Sequence, residues 1–195
     1  KHYIYIHLVQ TDGNQAWPSP IWATYDNPVK DPNPKPKVTI IPRGASAPGK
    51  LGTLTNYAHR KPVTTSFPNG ITAGAPEMVT DGKLGGYLGH GTKGAAWVQV
   101  DLGEVRKLGN IRLWHYYRDK RSYADNRLSI SPTGKFAGEE TVVFDSAKDG
   151  AYRESKDGKL ITFKPTDARY IRNSLGRNSA NPSTQWVEIE AYGPT

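Results

Sequence analysis

The run Ala96-Ala-Trp-Val-Gln-Val-Asp-Leu-Gly103, followed eight residues on by Ile111-Arg-Leu-Trp-His-Tyr-Tyr117, decides the fold class of this chain. In the first stretch apolar and polar side chains alternate until Asp-Leu-Gly stops the pattern, which is the period of a half-buried strand. The second is a run of strand formers that passes through Trp114, His115, Tyr116 and Tyr117 into a basic cluster. A strand pair feeding an aromatic, cationic surface loop suits binding better than chemistry.

Working outward, Val98 to Leu102, Ile111 to Tyr117, Arg127 to Ser131, Thr141 to Asp145, Leu160 to Lys164, Ala168 to Arg172 and Gln185 to Tyr192 each read as strands. Turn signals at Asn69-Gly70, Asp81-Gly82, Asp149-Gly150 and Asp157-Gly158 separate them. Helical periodicity is weak throughout, and Gly (20) and Pro (15) are plentiful among the 195 residues. The expected fold class is all-β, a sandwich or jelly roll spanning 51–195. Ahead of it, 27–50 is a proline-rich spacer that includes Asp31-Pro-Asn-Pro-Lys-Pro-Lys37. Residues 1–26 hold two strand-like runs, His2 to Val9 and Pro20 to Tyr25, about a turn at Asp12-Gly13. An isolated hairpin is marginal in water, so this one is expected to be the tail of an upstream domain.

The formal charge is +8, with +3 from the first fifty residues and +5 from the rest, so no single tail carries it. Such a balance favours anionic partners, or it is the solvated lysine surface of a sandwich. No helix, finger or RNA-binding motif accompanies the charge, so nucleic acid is not expected. Cysteine is absent, which excludes disulfides, thiolate metal sites and a Cys nucleophile. No apolar run reaches the length of a membrane span and no signal peptide opens the chain. Because Lys1 is not Met, the chain reads as a piece of something longer.

From Asn56 to Gly193 the sequence resembles the coagulation factor V/VIII type C (discoidin) domain of the galactose-binding-like superfamily, which includes bacterial carbohydrate-binding modules of family thirty-two. The resemblance is carried in order by Asn56 to Ser66, Pro76-Glu-Met-Val-Thr-Asp-Gly82, Trp97-Val-Gln-Val-Asp-Leu-Gly103 with Ile111-Arg-Leu113, Ala168-Arg-Tyr-Ile-Arg172 and Trp186-Val-Glu-Ile-Glu-Ala-Tyr-Gly193. It implies a jelly-roll β-sandwich without catalytic machinery, binding ligands on loops at one end. Many bacterial members hold a structural Ca2+. The resemblance would place it on Asp81 and Glu188 with backbone oxygens between Asp81 and Gly86. One departure bears on that site: Lys83-Leu-Gly-Gly-Tyr-Leu-Gly-His-Gly-Thr92 follows the Asp-Gly turn where the family has a Thr or Ser and a Trp. The segment 1–26 resembles the tail of some PHP-type metal-dependent phosphoesterase domains, which implies an upstream catalytic domain in the same polypeptide.

Sugar recognition needs an aromatic face for the ring and rigid polar groups for its hydroxyls. Arg118, Arg121, Tyr123 and Asp125 supply both, with Arg121, Tyr123 and Asp125 the best polar cluster, since arginine offers planar donors to vicinal hydroxyls or a carboxylate. Tyr87 and His90 lie in a Gly-rich stretch that can reach a ligand, and Asn181 and Trp186 close the Asn178 to Trp186 loop. His115 shares the strand face of Ile111 and Leu113, at the rim of the core or in the site. Trp186 is a stacking platform or a packing residue. Enzyme signatures fail: Gly89 to Gly94 copies a dinucleotide-binding glycine pattern but precedes a strand, and Glu139-Glu140 reads as a solvated edge. The expected function is a non-catalytic carbohydrate-binding module of a larger bacterial secreted or surface enzyme, taking a galactose-type or acidic glycan. Adhesion to anionic phospholipid or a protein receptor, or a purely structural role, are the alternatives.

Overall fold

The computed structural model describes residues 54–91 and 94–195, with the backbone of three short strands before them. The chain divides into two compact units, Lys1–Ile40 and Ile41–Thr195. In the first, β1 (Leu8–Val9) pairs antiparallel with β2 (Gln15–Ala16). The rest of the expected hairpin, Pro20 to Tyr25 included, and almost all of the proline-rich segment lie outside the described residues.

The second unit opens with the small antiparallel pair β3 (Lys50–Leu51) and β4 (Leu54–Thr55). It continues through β5 (Val63–Thr65), β6 (Ile71–Ala73), a 3-10 turn at Pro76–Thr80, β7 (Leu88–His90) and the twenty-residue β8 (Ala96–His115). Then come β9 (Tyr123–Ala124), β10 (Arg127–Ser131), β11 (Thr141–Asp145), α1 (Ser146–Asp149), β12 (Lys159–Leu175), β13 (Arg177–Asn178) and β14 (Thr184–Tyr192). Strand order in the main sheet is β11-β10-β12-β8-β14-β7-β6, with β5 also on β8.

The architecture follows from one bend. Along β8 and β12, Ala168 opposes Arg106 but Tyr170 opposes Asp101, so β8 carries extra residues there. A bulge of that kind twists and turns a strand from one sheet into the next. β5 joins β8 before the bend, at Val98–Val100, and β14 joins it after, at Asn110–His115. One sheet is thereby folded into two facing layers, the expected jelly-roll β-sandwich. Val98, Val100, Ile130 and Ile171 of the first layer share a buried cluster with Ile111, Leu113 and Ile189 of the second.

The two quoted runs differ because their layers differ. From Ala96 to Leu102 buried and half-buried residues alternate, while Leu108 to His115 is buried throughout, as is all of β14. A strand covered on both faces reads as a continuous run. Part of that cover is the Asp157-Gly158 turn, where Gly158 has φ +67° and a Cβ would come within 2.5 Å of Trp114 Cε2. Glycine is required there on both counts. The Trp114 indole N–H is satisfied by Lys156 O at 3.0 Å.

Candidate functional site

β8 stops at His115, two residues earlier than its sequence predicts, and the chain turns at once. Lys120 N–H donates to Tyr117 O at 3.0 Å, and Lys120 adopts a left-handed φ of 57°. Asp119 Oδ1 accepts the amide of Arg121 at 3.2 Å, an Asx-type turn. The same carboxylate accepts Arg121 Nε at 2.9 Å and Nη2 at 2.5 Å, a two-pronged clamp. That bond is the main reason the Asp119 carboxyl is held below its ordinary value and the Arg121 guanidinium above its own. Arg121 lies 4.6 Å over the Tyr116 ring and donates Nη1–H to Gln185 Oε1 at 3.1 Å. The Tyr123 hydroxyl donates to the same oxygen at 2.8 Å.

A second loop is stapled to the first. β9 pairs with β13, and Ser122 and Ser179 exchange hydrogen bonds, Ser122 N to Ser179 Oγ at 3.1 Å and Ser179 N to Ser122 O at 2.9 Å. Asn178 then organises 178–183: its Oδ1 accepts the amides of Ala180 and Asn181, both at 2.7 Å, and its Nδ2 donates to Asn181 Oδ1 at 2.8 Å. Asn181 Oδ1 also accepts from Ser183.

Between these loops and the Gly-rich segment lie two open grooves. One, of about 490 Å³, is lined by Tyr87, Tyr116, Arg121, Asn181, Ser183 and Gln185 among others. The other, of about 350 Å³, has Met78, Leu84, Tyr117, Arg118 and Val187 in its walls. Tyr87 and Tyr116 line both and meet edge to face at 5.4 Å, a shared aromatic ridge.

Of the expected site residues, Tyr87, Arg121 and Asn181 come together on the larger groove and Arg118 lies on the smaller. Five others are displaced. Trp186 is fully buried, stacked 5.6 Å from Phe67, with Nε1 donating to Asn173 Oδ1 at 2.8 Å, so it packs the core and offers no stacking platform. His115 is also fully buried, bonded to Glu154 Oε1 at 2.7 Å and Asn173 Oδ1 at 2.9 Å. His90 is 7 % exposed against Phe67, and burial lowers its pKa. Tyr123 is 2 % exposed and supports the groove through Gln185, its pKa raised by burial first of all. Asp125 is exposed with φ 54°, a turn residue outside both grooves.

Residues 78–173 match the F5/8 type C family model described as "NedA-like, galactose-binding domain". Over those residues the sandwich is similar to an F5/8 type C, galactose-binding-like domain. Among solved structures, the family-thirty-two carbohydrate-binding module of AlyQ, in complex with 4,5-unsaturated mannuronic acid, is 22% identical. It aligns with TM-score 0.54 over 67% of this chain and 93% of that one. Chitosan-binding module 1 of a chitosanase/glucanase from Paenibacillus sp. IK-5 is 22% identical with TM-score 0.53, over 71% and 98% of the two chains. A family 89 glycoside hydrolase from Clostridium perfringens is 22% identical with TM-score 0.58 over 72% of this chain and 15% of its own. These likenesses are of fold. No curated protein matches the chain. No helix among the described residues is long and apolar enough to cross a membrane.

In the sandwich the Asp81-Gly82 turn sits against β14. Both oxygens of fully buried Glu188 accept the Gly82 amide, each at 3.2 Å, while Asp81 Oδ1 accepts Lys83 N–H at 2.8 Å. The Glu188 carboxyl is pushed up to about 9, by burial first of all, with the Gly82 bond opposing and the neighbouring Glu190 and Asp81 adding to the rise. A buried carboxylate sharing one long amide bond, with further acids beside it, suits a hard cation. No cluster of three or more His, Cys, Asp or Glu able to hold a metal occurs among the described residues. Two carboxylates would therefore need backbone carbonyls and water to complete the shell.

Tyr116, Asp119 and Gln185 were missed as site residues. Tyr116 lay unremarked inside the aromatic run, and Asp119 carried a readable signal as the acid two residues before Arg121. Gln185 opens β14 beside Trp186 and carried none.

Proposed function

We propose that the chain is a non-catalytic carbohydrate-binding module that holds a glycan at one end of the sandwich, in the groove around Arg121. The observation that carries this reading is the immobilised polar cluster on an aromatic floor. Arg121 is clamped by Asp119, braced on Gln185 and laid over Tyr116, with Tyr87 at right angles beside it. Rigid donors beside an apolar face are what a pyranose ring and its hydroxyls require. That two structural neighbours are carbohydrate-binding modules supports the assignment. The Asp81–Glu188 pocket is proposed to take a structural Ca2+, whose charge would neutralise Glu188 and tie the turn to β14. An extracellular or bacterial cell-surface location and an upstream catalytic domain in the same polypeptide belong to the same proposal.

Adhesion to phospholipid is disfavoured by the surface. Among the described residues the exposed large apolar side chains are Val105 and Val142. Val105 lies at the bend in the middle of β8, between Asp101 and Arg106 and away from the strand end that leads into Tyr116. Loop tips that enter a bilayer need apolar spikes, and the groove end has none of these.

The test is a glycan array probed with the full chain in calcium buffer at low and physiological salt, repeated with Arg121→Ala and Tyr87→Ala. A few related glycans bound at both salts, each weakened about tenfold or more by either substitution, is the expected result. Binding to polyanions alone, lost at physiological salt, would reduce the site to a basic surface. Unchanged binding by both variants would remove the groove.

A further inference from the structure

Arg118 and Arg121 are three residues apart, yet the structure gives them opposite electrostatic states. Arg121 is 10 % exposed and its charge is matched at contact distance by Asp119. What it offers a ligand is geometry, with little net charge. Arg118 is exposed, and its one polar contact among the described residues is a 3.4 Å bond from Nη2 to Gly85 O. No carboxylate among the described residues pairs with it. It stands on the smaller groove, whose other walls are Met78, Leu84, Tyr117 and Val187, none of them acidic. The Tyr117 hydroxyl there already donates to Leu84 O at 3.3 Å. The two grooves share the Tyr87–Tyr116 ridge, so one chain lying across it touches both.

Resting on the glycan reading above, we propose that the two grooves are adjoining subsites for an acidic oligosaccharide. The Arg121–Gln185–Asn181 groove takes the hydroxyls of one sugar unit. The Arg118 groove takes the carboxylate of its neighbour, a uronate. An unmatched guanidinium beside an apolar wall binds a planar carboxylate in two-pronged fashion, and the partner it lacks within the protein is the one the ligand supplies. Specificity for acidic over neutral chains is therefore set at Arg118, and affinity for the chain as a whole at Arg121 and Tyr87.

The experiment is titration calorimetry of the full chain with oligogalacturonates and oligomannuronates of two to four units, each alongside its carboxyl-reduced counterpart. Wild type is expected to favour an acidic form by about tenfold over its reduced form, the scale of one charge-assisted contact. Arg118→Gln should bring that ratio close to one. Lys120→Gln, which removes a neighbouring exposed cation outside both grooves, should leave the ratio in place. An Arg118→Gln ratio equal to wild type, or an equal loss in Lys120→Gln, would overturn the proposal in favour of a diffuse basic field. Equal binding of acidic and reduced forms by wild type would overturn it while leaving the glycan reading standing. If neither form binds, the glycan reading falls first and the subsites with it.

Discussion

His115 has no exposed surface, yet it bears on where Arg121 stands. Trp186 Nε1 can only donate, so the Asn173 oxygen it reaches is an acceptor, and His115 Nε2 must then carry the hydrogen it gives to that oxygen. His115 Nδ1 meets Glu154 Oε1 at 2.7 Å, and the Glu154 amide donates to Arg121 O at 2.8 Å. Asn173 continues the network to Asn126 Oδ1 at 2.9 Å. A polar chain buried between the layers thus ends on the backbone of the groove's main donor. Removing one member strands the others without water. Glu154→Ala is expected to cost about 3 kcal/mol in urea denaturation, the scale of breaking a buried charged contact. A loss under about 1 kcal/mol would mean the network is not what holds this end together.

At the scale of elements, the stretch between β10 and β11 shows what a pattern of residue types leaves out. Glu139 reads as a solvated edge, and it is exposed, but its carboxylate organises the whole loop. It accepts Ser131 Oγ–H at 2.6 Å, Thr133 Oγ1–H at 2.7 Å, and the amides of Phe136 and Ala137 at 3.1 and 2.9 Å. Those bonds, led by Ser131, hold the carboxyl far below its ordinary 4.5. A depressed folded-state pKa gives stability that is fully present above the unfolded value and is lost as pH falls toward the folded one. Glu139→Gln should therefore melt below wild type at neutral pH, and the gap should narrow progressively once the pH drops under 4.5. A gap independent of pH would show that the ionised form contributes nothing. The same loop carries Phe136, which with Trp97 sandwiches the Arg172 guanidinium at 3.9 and 4.2 Å. Long-range convergence of this kind explains the division between what was legible and what was not. Alternation in Val98 to Leu102 and the apolar run of Ile111 to Leu113 are local consequences of burial, so the strands could be read. That they form one strand, bent by a bulge opposite β12, depends on a partner sixty residues away and could not. Arg121 was legible because a planar donor in the basic cluster that follows an aromatic strand is a local pattern, and Gln185 was not, because its role exists only once two loops are stapled side by side.

For the molecule as a whole, the decisive question is what joins the groove-bearing loops to the rest of the sandwich. The smaller groove includes Leu84 and Gly86, on the segment that leaves the Asp81-Gly82 turn, and β14 supplies Val187 to it and Glu188 to the turn. A cation held by Asp81 and Glu188 would fix that segment to the sheet. Without one, the Glu188 carboxyl stays buried against Asp81 and Glu190 with its pKa near 9. Anything that binds only the folded state stabilises it by mass action, about 2.7 kcal/mol at a hundred times the dissociation constant. In a domain of this size that amounts to several degrees in Tm. The full chain is therefore expected to melt several degrees higher in calcium than in chelator, with magnesium a poor substitute because it resists leaving its octahedral water shell. Glu188→Gln should abolish the calcium response, and because a carboxyl with a pKa near 9 is already protonated at neutral pH when no cation is held, its melting point in chelator should stay close to that of wild type. Superimposable melting curves for wild type in calcium and in chelator would leave Glu188 as a buried acid capped by Gly82, and the calcium assignment would be withdrawn.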